Sequence, residues 1–151
     1  MKYWLIKSEE ECYSIDDLAR DKKTSWDGVR NYQARNFMKD MSVGDKILFY
    51  HSSGTRNGVY GLATVAGATH SDISQFDPKN KYFERRATKE KPVWYSAEVG
   101  FVTKFKNPIP LSIIKLDPAL SGMLLRARGS RLSVQPVTEK HFQHIEDMGR
   151  K

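Results

Sequence analysis

The chain has 151 residues, a net charge of +7 and a pI near 9.5. That length fits one domain, residues 1–151, with a core of its own. No apolar run reaches the roughly 20 residues of a membrane span, and the single cysteine, Cys12, excludes an intrachain disulfide and a cysteine-based zinc site.

The positive charge suits an anionic partner, nucleic acid first. The start, MKYWLIKSEE, has neither the apolar length nor the cleavage site of a signal peptide. The expected compartment is therefore the cytoplasm, or the nucleus in a cell that has one.

In chain order, Tyr3 to Lys7 reads as a short apolar strand. Ser14 is placed to cap a helix that carries Asp16 and Asp17 in its first turn and ends near Lys22. Asp27-Gly28 marks a turn. From Asn31, the residues Ala34, Phe37, Met38 and Met41 recur at helical spacing, and Gly44 is placed to stop that helix. Lys46–Ser52 and Val59–Thr69 read as strands joined by the hairpin loop SGTRNG. Gly61 and Gly67 inside the second of them predict bulges and strong bending, which suits a small barrel.

Residues 70–91 read as a long irregular insertion with six lysines and arginines, either functional or simply a solvated basic loop. Val93 to Phe105 is the clearest strand. Val93, Tyr95, Ala97, Val99 and Phe101 alternate onto one face, leaving Trp94 on the face with Ser96 and Glu98. Pro108 and Pro110 punctuate the chain beyond this strand. Leu111–Leu116 reads as a short helix, Leu132–Val137 as an edge strand, and Thr138 as the cap of a final helix with Phe142 and Ile145 inward. The expected class is α+β, with about five to six strands in a bent sheet or small barrel and short helices around it.

No phosphate-binding loop, dinucleotide fingerprint or nucleophile elbow is present. His141 and His144 lack a third partner and read as surface residues, and Cys12 as a half-buried inert thiol. No catalytic group, metal or cofactor is implied. What recurs instead is an aromatic beside polar residues: Trp26, Tyr50 and Trp94. Flat bases stack on such rings, each stack contributing roughly 1–3 kcal/mol. Asn31, Gln33, His51, Ser52 and Gln135 can meet a base edge, and Arg30, Arg35, Arg126, Arg128 and Arg131 can hold phosphates. Each also has an ordinary role open to it. Trp26 and Tyr50 can be core, Asn31 a helix cap, and the arginines surface ion-pair partners.

The segments YWLIKSE, SWDGVRNYQARNF, VGDKILFYHS, GLATV and RLSVQPVT run in order over nearly the whole chain, and together they resemble an EVE domain of the PUA-like superfamily. The resemblance implies a mixed β-barrel wrapped by short helices, with a cleft on one side, and kinship to YTH domains, which hold a methylated base in an aromatic cage. It implies a non-catalytic reader of a modified base in DNA or RNA, partnered by a separate nuclease or modification enzyme. Under it Trp26 is the foremost cage residue, and Lys7, Ser8, Asn31, Tyr32, His51 and Ser52 are cleft residues. Tyr32, Tyr50 and Trp94 are further candidate walls, Trp94 from strand alternation and not from the resemblance. Two other readings stay open: an RNA-binding accessory domain indifferent to modification, and a small hydrolase acting on a modified nucleoside.

Overall fold

The computed structural model describes residues 1–52, 54–127 and 132–151. In chain order the elements are β1 (Tyr3–Glu9), α1 (Ile15–Asp21), β2 (Lys23–Trp26), α2 (Tyr32–Lys39), β3 (Lys46–Ser52), β4 (Gly58–Ser71), β5 (Tyr95–Pro110), α3 (Leu111–Leu116), β6 (Val134–Val137) and α4 (Glu139–Arg150). Short 3₁₀ turns lie at Ile73–Phe76, Pro118–Leu120 and Leu124–Arg126.

One mixed sheet runs in the order β2-β5-β4-β3-β1-β6, with β1 and β3 parallel and the other pairs antiparallel. β1 and β3 are interior strands covered on both faces, which explains why YWLI and ILFY are continuous apolar runs rather than alternating ones. Trp4, Ile6, Ile47 and Phe49 enter one apolar cluster, roofed by Ile15 and Leu18 of α1 and Ala34 and Met38 of α2. Leu5, Leu48 and Tyr50 enter a second, with Ile114 of α3 and Phe142 and Ile145 of α4. Each fully buried aliphatic side chain contributes on the order of 1.5–3 kcal/mol.

The sheet is not closed into a barrel, against the expectation from sequence. Its two edges, β2 and β6, do not pair with each other, and each has only four residues. α2 packs against both β6 and β5 and occupies the opening. The bending that suggested closure is real. Register shifts interrupt the β3–β4 and β4–β5 ladders around Gly61 and Gly67, where a Cβ would come within 2.4 Å of the Thr103 carbonyl and 2.3 Å of the Glu98 carboxylate, respectively. It curls the sheet without joining its ends.

Local signals translate directly. Ser14 and Asp17 form a reciprocal capping box, with Asp17 N–H donating to Ser14 Oγ at 3.1 Å and Ser14 N–H to Asp17 Oδ2 at 2.9 Å. Asn31 Oδ1 accepts from Ala34 N–H at 2.9 Å, and Thr138 Oγ1 from His141 N–H at 3.2 Å. α2 ends at Lys39, short of Gly44, which instead turns the chain into β3 with φ +94°. Pro108 and Pro110 do not end β5. They lie beyond the stretch Ala97–Gly100 that pairs with β2, so one side of the strand there has no partner to miss a proline N–H.

The segment between β4 and β5 is bound by polar contacts. Gln75, fully buried, accepts from Val93 N–H and Trp94 N–H at 2.9 Å each and donates to the Asp72 and Trp94 carbonyls at 2.7 Å each. Its own carbonyl accepts from Glu84 N–H at 2.8 Å.

Candidate functional site

A cleft of about 520 Å³ opens where the end of β1, the strand β2 and the β4–β5 segment meet. That lies in the usual size range of small-ligand sites. Lys7 and Ser8 supply one side, Tyr13 and Trp26 an aromatic side, and Lys81 and Tyr82 a rim from the β4–β5 segment.

Trp26 is the last residue of β2, paired with Ala97. Its ring meets Phe49 edge-on at 5.7 Å and Tyr13 edge-on at 6.0 Å. It is half-buried: one part covers the core and another lines the cleft. The same ring therefore packs on the core and borders the cleft. Tyr13 is oriented by its hydroxyl, which donates to Asp21 Oδ2 at 2.9 Å, and its carbonyl accepts from Ser8 Oγ. Lys7 is held by its backbone N–H to the Ser133 carbonyl at 2.9 Å, with Nζ 6.0 Å from the centre of the Tyr50 ring. Burial lowers its pKa, since desolvation disfavours the ammonium.

Asp72 organises the opposite side. Its carboxylate is fully buried and accepts from Gly28 N–H at 2.7 Å and Arg30 Nη1 at 3.0 Å. Burial alone would raise its pKa, but hydrogen bonds from Ser74, Gly28 and Arg30 outweigh it and hold the carboxyl below its ordinary value. Arg30 also donates to the Tyr82 carbonyl at 2.6 Å and to Ser74 Oγ at 3.2 Å. Its guanidinium is thus bound to protein acceptors while the residue borders the cleft.

Of the candidate residues, Lys7, Ser8, Trp26 and Arg30 come together in this cleft. The others lie elsewhere. Asn31 spends its side-chain oxygen on the α2 cap. Tyr32 is exposed and packs at a tilt of 32° against Trp94 with ring centres 4.8 Å apart, its hydroxyl accepting from Arg86 at 2.8 Å. Trp94 is buried, not on an open polar face: Tyr32, Arg30 and Arg35 cover it, and its indole N–H donates to Glu84 at 3.0 Å. Tyr50 is buried in the second cluster, where burial pushes its pKa up to about 12.

His51 and Ser52 border a separate pocket beside Glu9, Glu10 and Glu11. His51 Nε2 accepts from Ile15 N–H at 3.1 Å, which puts the ring proton on the buried Nδ1, and burial lowers the pKa of the ring. Gln135 is buried and donates to the Leu132 carbonyl, and Gln33 is exposed on α2. Arg35 donates to the Val93 carbonyl at 3.0 Å and Arg126 to the Asp117 carbonyl at 3.0 Å. Arg128 and Arg131 lie outside the described residues.

Cys12 is exposed, not half-buried, and borders the cleft. Its thiol donates to Glu9 Oε2 at 3.4 Å, a bond that raises its pKa. His144 is no free surface residue: Nε2 donates to Asp117 Oδ2 at 2.7 Å and ties α4 to the start of the Pro118–Leu120 turn. Sequence reasoning missed Tyr13, Lys81 and Tyr82 as lining residues. Lys81-Tyr82 sets an aromatic beside a polar residue, as the Trp26 stretch does, but within the insertion. Among the described residues no group of three or more His, Cys, Asp or Glu is placed to hold a metal, and no helix is long and apolar enough to cross a membrane.

An open mixed sheet with an aromatic, lysine-bordered cleft defines a small α+β binding domain. The chain belongs to the EVE domain family, whose model matches residues 2–148. It is 37% identical to thymocyte nuclear protein 1 of Gallus gallus over 95% of this chain and 66% of that one, so it spans about two thirds of that relative's length. A hypothetical protein from Leishmania major superposes with a TM-score of 0.93 at 46% identity, covering 99% of this chain and 94% of that one. The human THYN1 protein, solved in complex with 5-methylcytosine-containing DNA, superposes with a TM-score of 0.90 at 34% identity, covering 100% of this chain and 99% of that one.

Proposed function

We propose that this protein is a non-catalytic reader of modified cytosine in DNA, and that the cleft beside Trp26 receives the base. The observation that carries this reading is the placement of Trp26: a half-buried ring in T-shaped contact with Phe49 and Tyr13 that lines a cleft bordered by Lys7 and Lys81. A base must leave its stack to enter, at a cost of a few kcal/mol. Stacking on Trp26 offsets about 1–3 kcal/mol of that. Lysines at the border supply the phosphate attraction that every nucleic-acid complex uses, and it carries no sequence information. The DNA-bound human relative supports the same reading. It assigns the protein to the compartment holding that DNA: the cytoplasm, or the nucleus where there is one.

Burying one added methyl group gains roughly 0.8 kcal/mol, about fourfold in affinity. Stronger selectivity needs walls that fit closely. The test is a titration of duplexes carrying one 5-methylcytosine or one cytosine at the same position, over a salt series. The expected result is tighter binding of the methylated duplex at every salt concentration, with Trp26→Ala weakening it by about 5–150-fold. Equal affinity for both duplexes, together with a steep salt dependence, would instead mark a binder of backbone shape.

A further inference from the structure

We infer that Tyr82 is the second aromatic wall of the cleft and sets its selectivity for the modified base, with Gly28, Arg30 and Asp72 as the residues that position it. The inference rests on the modified-base reading above. Tyr82 sits in a segment of turns and a single 3₁₀ helix, where a surface tyrosine is ordinarily free to swing. Here it is fixed from three directions.

Its ring lies against Gly28 so closely that a Cβ there would come within 2.7 Å of two ring carbons, and Gly28 itself has φ +83°. Glycine serves both needs at once, close approach and a left-handed backbone. The Arg30 guanidinium carbon lies 5.1 Å from the Tyr82 ring centre, and Arg30 Nη2 grips the Tyr82 carbonyl at 2.6 Å. The same oxygen of Asp72 that takes Arg30 Nη1 also takes Gly28 N–H. One buried carboxylate therefore sets the backbone under the ring and the cation beside it. On the exposed side the Lys81 ammonium lies 4.9 Å from the ring centre, where it can meet a phosphate of a strand whose base enters.

Such fixing has a use in a cleft that must sense one methyl group. A wall free to move by a few tenths of an ångström accepts both bases, and burial alone then separates them only about fourfold. A wall locked by an ion pair to a buried carboxylate turns the methyl group into a fitting contact and leaves a gap beside the unmodified base. Trp26 supplies stacking to either base; Tyr82 supplies the discrimination.

The experiment measures affinities for duplexes with one 5-methylcytosine or one cytosine, using wild type, Trp26→Ala, Tyr82→Leu, Tyr82→Phe, Gly28→Ala and the Gly28→Ala/Tyr82→Leu double variant. Thermal melts identify any variant that fails to fold. Tyr82→Leu is expected to bring the methylated-to-unmethylated ratio down to the roughly fourfold or less that burial alone gives, and Tyr82→Phe, which keeps the ring, to restore it. Gly28→Ala should lower the ratio by displacing the ring, and the double variant should be no worse than Tyr82→Leu. If wild type discriminates and Trp26→Ala weakens binding, but Tyr82→Leu keeps the ratio, the assignment of Tyr82 is wrong and the reader function stands. If the losses at Gly28 and Tyr82 multiply, Gly28 does not act through the ring. If wild type itself does not discriminate, the reading and the inference fall together.

Discussion

The two sides of the cleft are built by different physics. The Trp26 side rests on apolar area: β1 and β3 are buried on both faces, and Phe49, fully buried, presses against the Trp26 ring. The Tyr82 side rests on polar bonds. Asp72, Gln75, Arg30 and Glu84 bind a segment with little regular structure to itself and to the rest of the domain. Apolar burial is non-directional and tolerates adjustment, whereas a buried polar network either satisfies every group or becomes costly. The first side should therefore govern stability and stacking, the second the fine geometry of recognition.

The largest expected effect comes from the apolar side. Phe49→Ala should cost about 3–5 kcal/mol in a denaturant titration, through lost burial and the cavity left behind. A loss under about 1 kcal/mol would mean that the core under Trp26 is not close-packed. Next in size is Gln75→Ala, which leaves the Val93 and Trp94 amides without their acceptor, at about 1–3 kcal/mol, chiefly for the buried Trp94 amide. Hydrogen exchange should quicken first at those two amides and at Glu84, while β1 and β3 stay protected. Uniform loss of protection would erase the distinction between the two sides.

The smallest effect is read by pH. The Arg86 guanidinium, with the Trp94 indole N–H, lowers the Glu84 pKa to about 2. A depressed carboxyl stabilises the fold above its unfolded value and loses that contribution as pH falls through the folded value. The emission of Trp94 should therefore change as pH falls from about 4.5 toward 2, and Glu84→Gln should remove that step. An identical profile in wild type and variant would show that Glu84 does not hold the indole.

Much of the apolar side was legible in sequence because its signals are local. YWLI, ILFY and the Ser14, Asn31 and Thr138 caps each announce an element within a few residues. β2 was not legible: Lys23–Trp26 is four residues long and carries no apolar alternation. Closure was not legible either. Gly61 and Gly67 report bending at their own positions, while the meeting of β2 with β6 depends on the whole path of the sheet and is forestalled by α2. Strand alternation placed Trp94 opposite Ala97 and Val99, yet it could not reveal that Tyr32 and Glu84 would cover the ring. Of the residues now lining the cleft, Trp26 was evident from its polar neighbours. Tyr82 was not, because its partners Gly28 and Arg30 are more than 50 positions away.

The central claim is that the base enters beside Trp26, and the chain's three tryptophans offer a direct reading of it. In a nitrogen–proton correlation spectrum, the indole signals of Trp4 and Trp94 report rings hydrogen-bonded to Asp45 and Glu84 inside the fold. Titration with a duplex carrying one 5-methylcytosine should move the Trp26 indole signal saturably and leave the Trp4 signal in place, with Trp94 shifting little. Saturable movement of Trp94 with Trp26 unmoved would contradict the account and put the base elsewhere on the molecule.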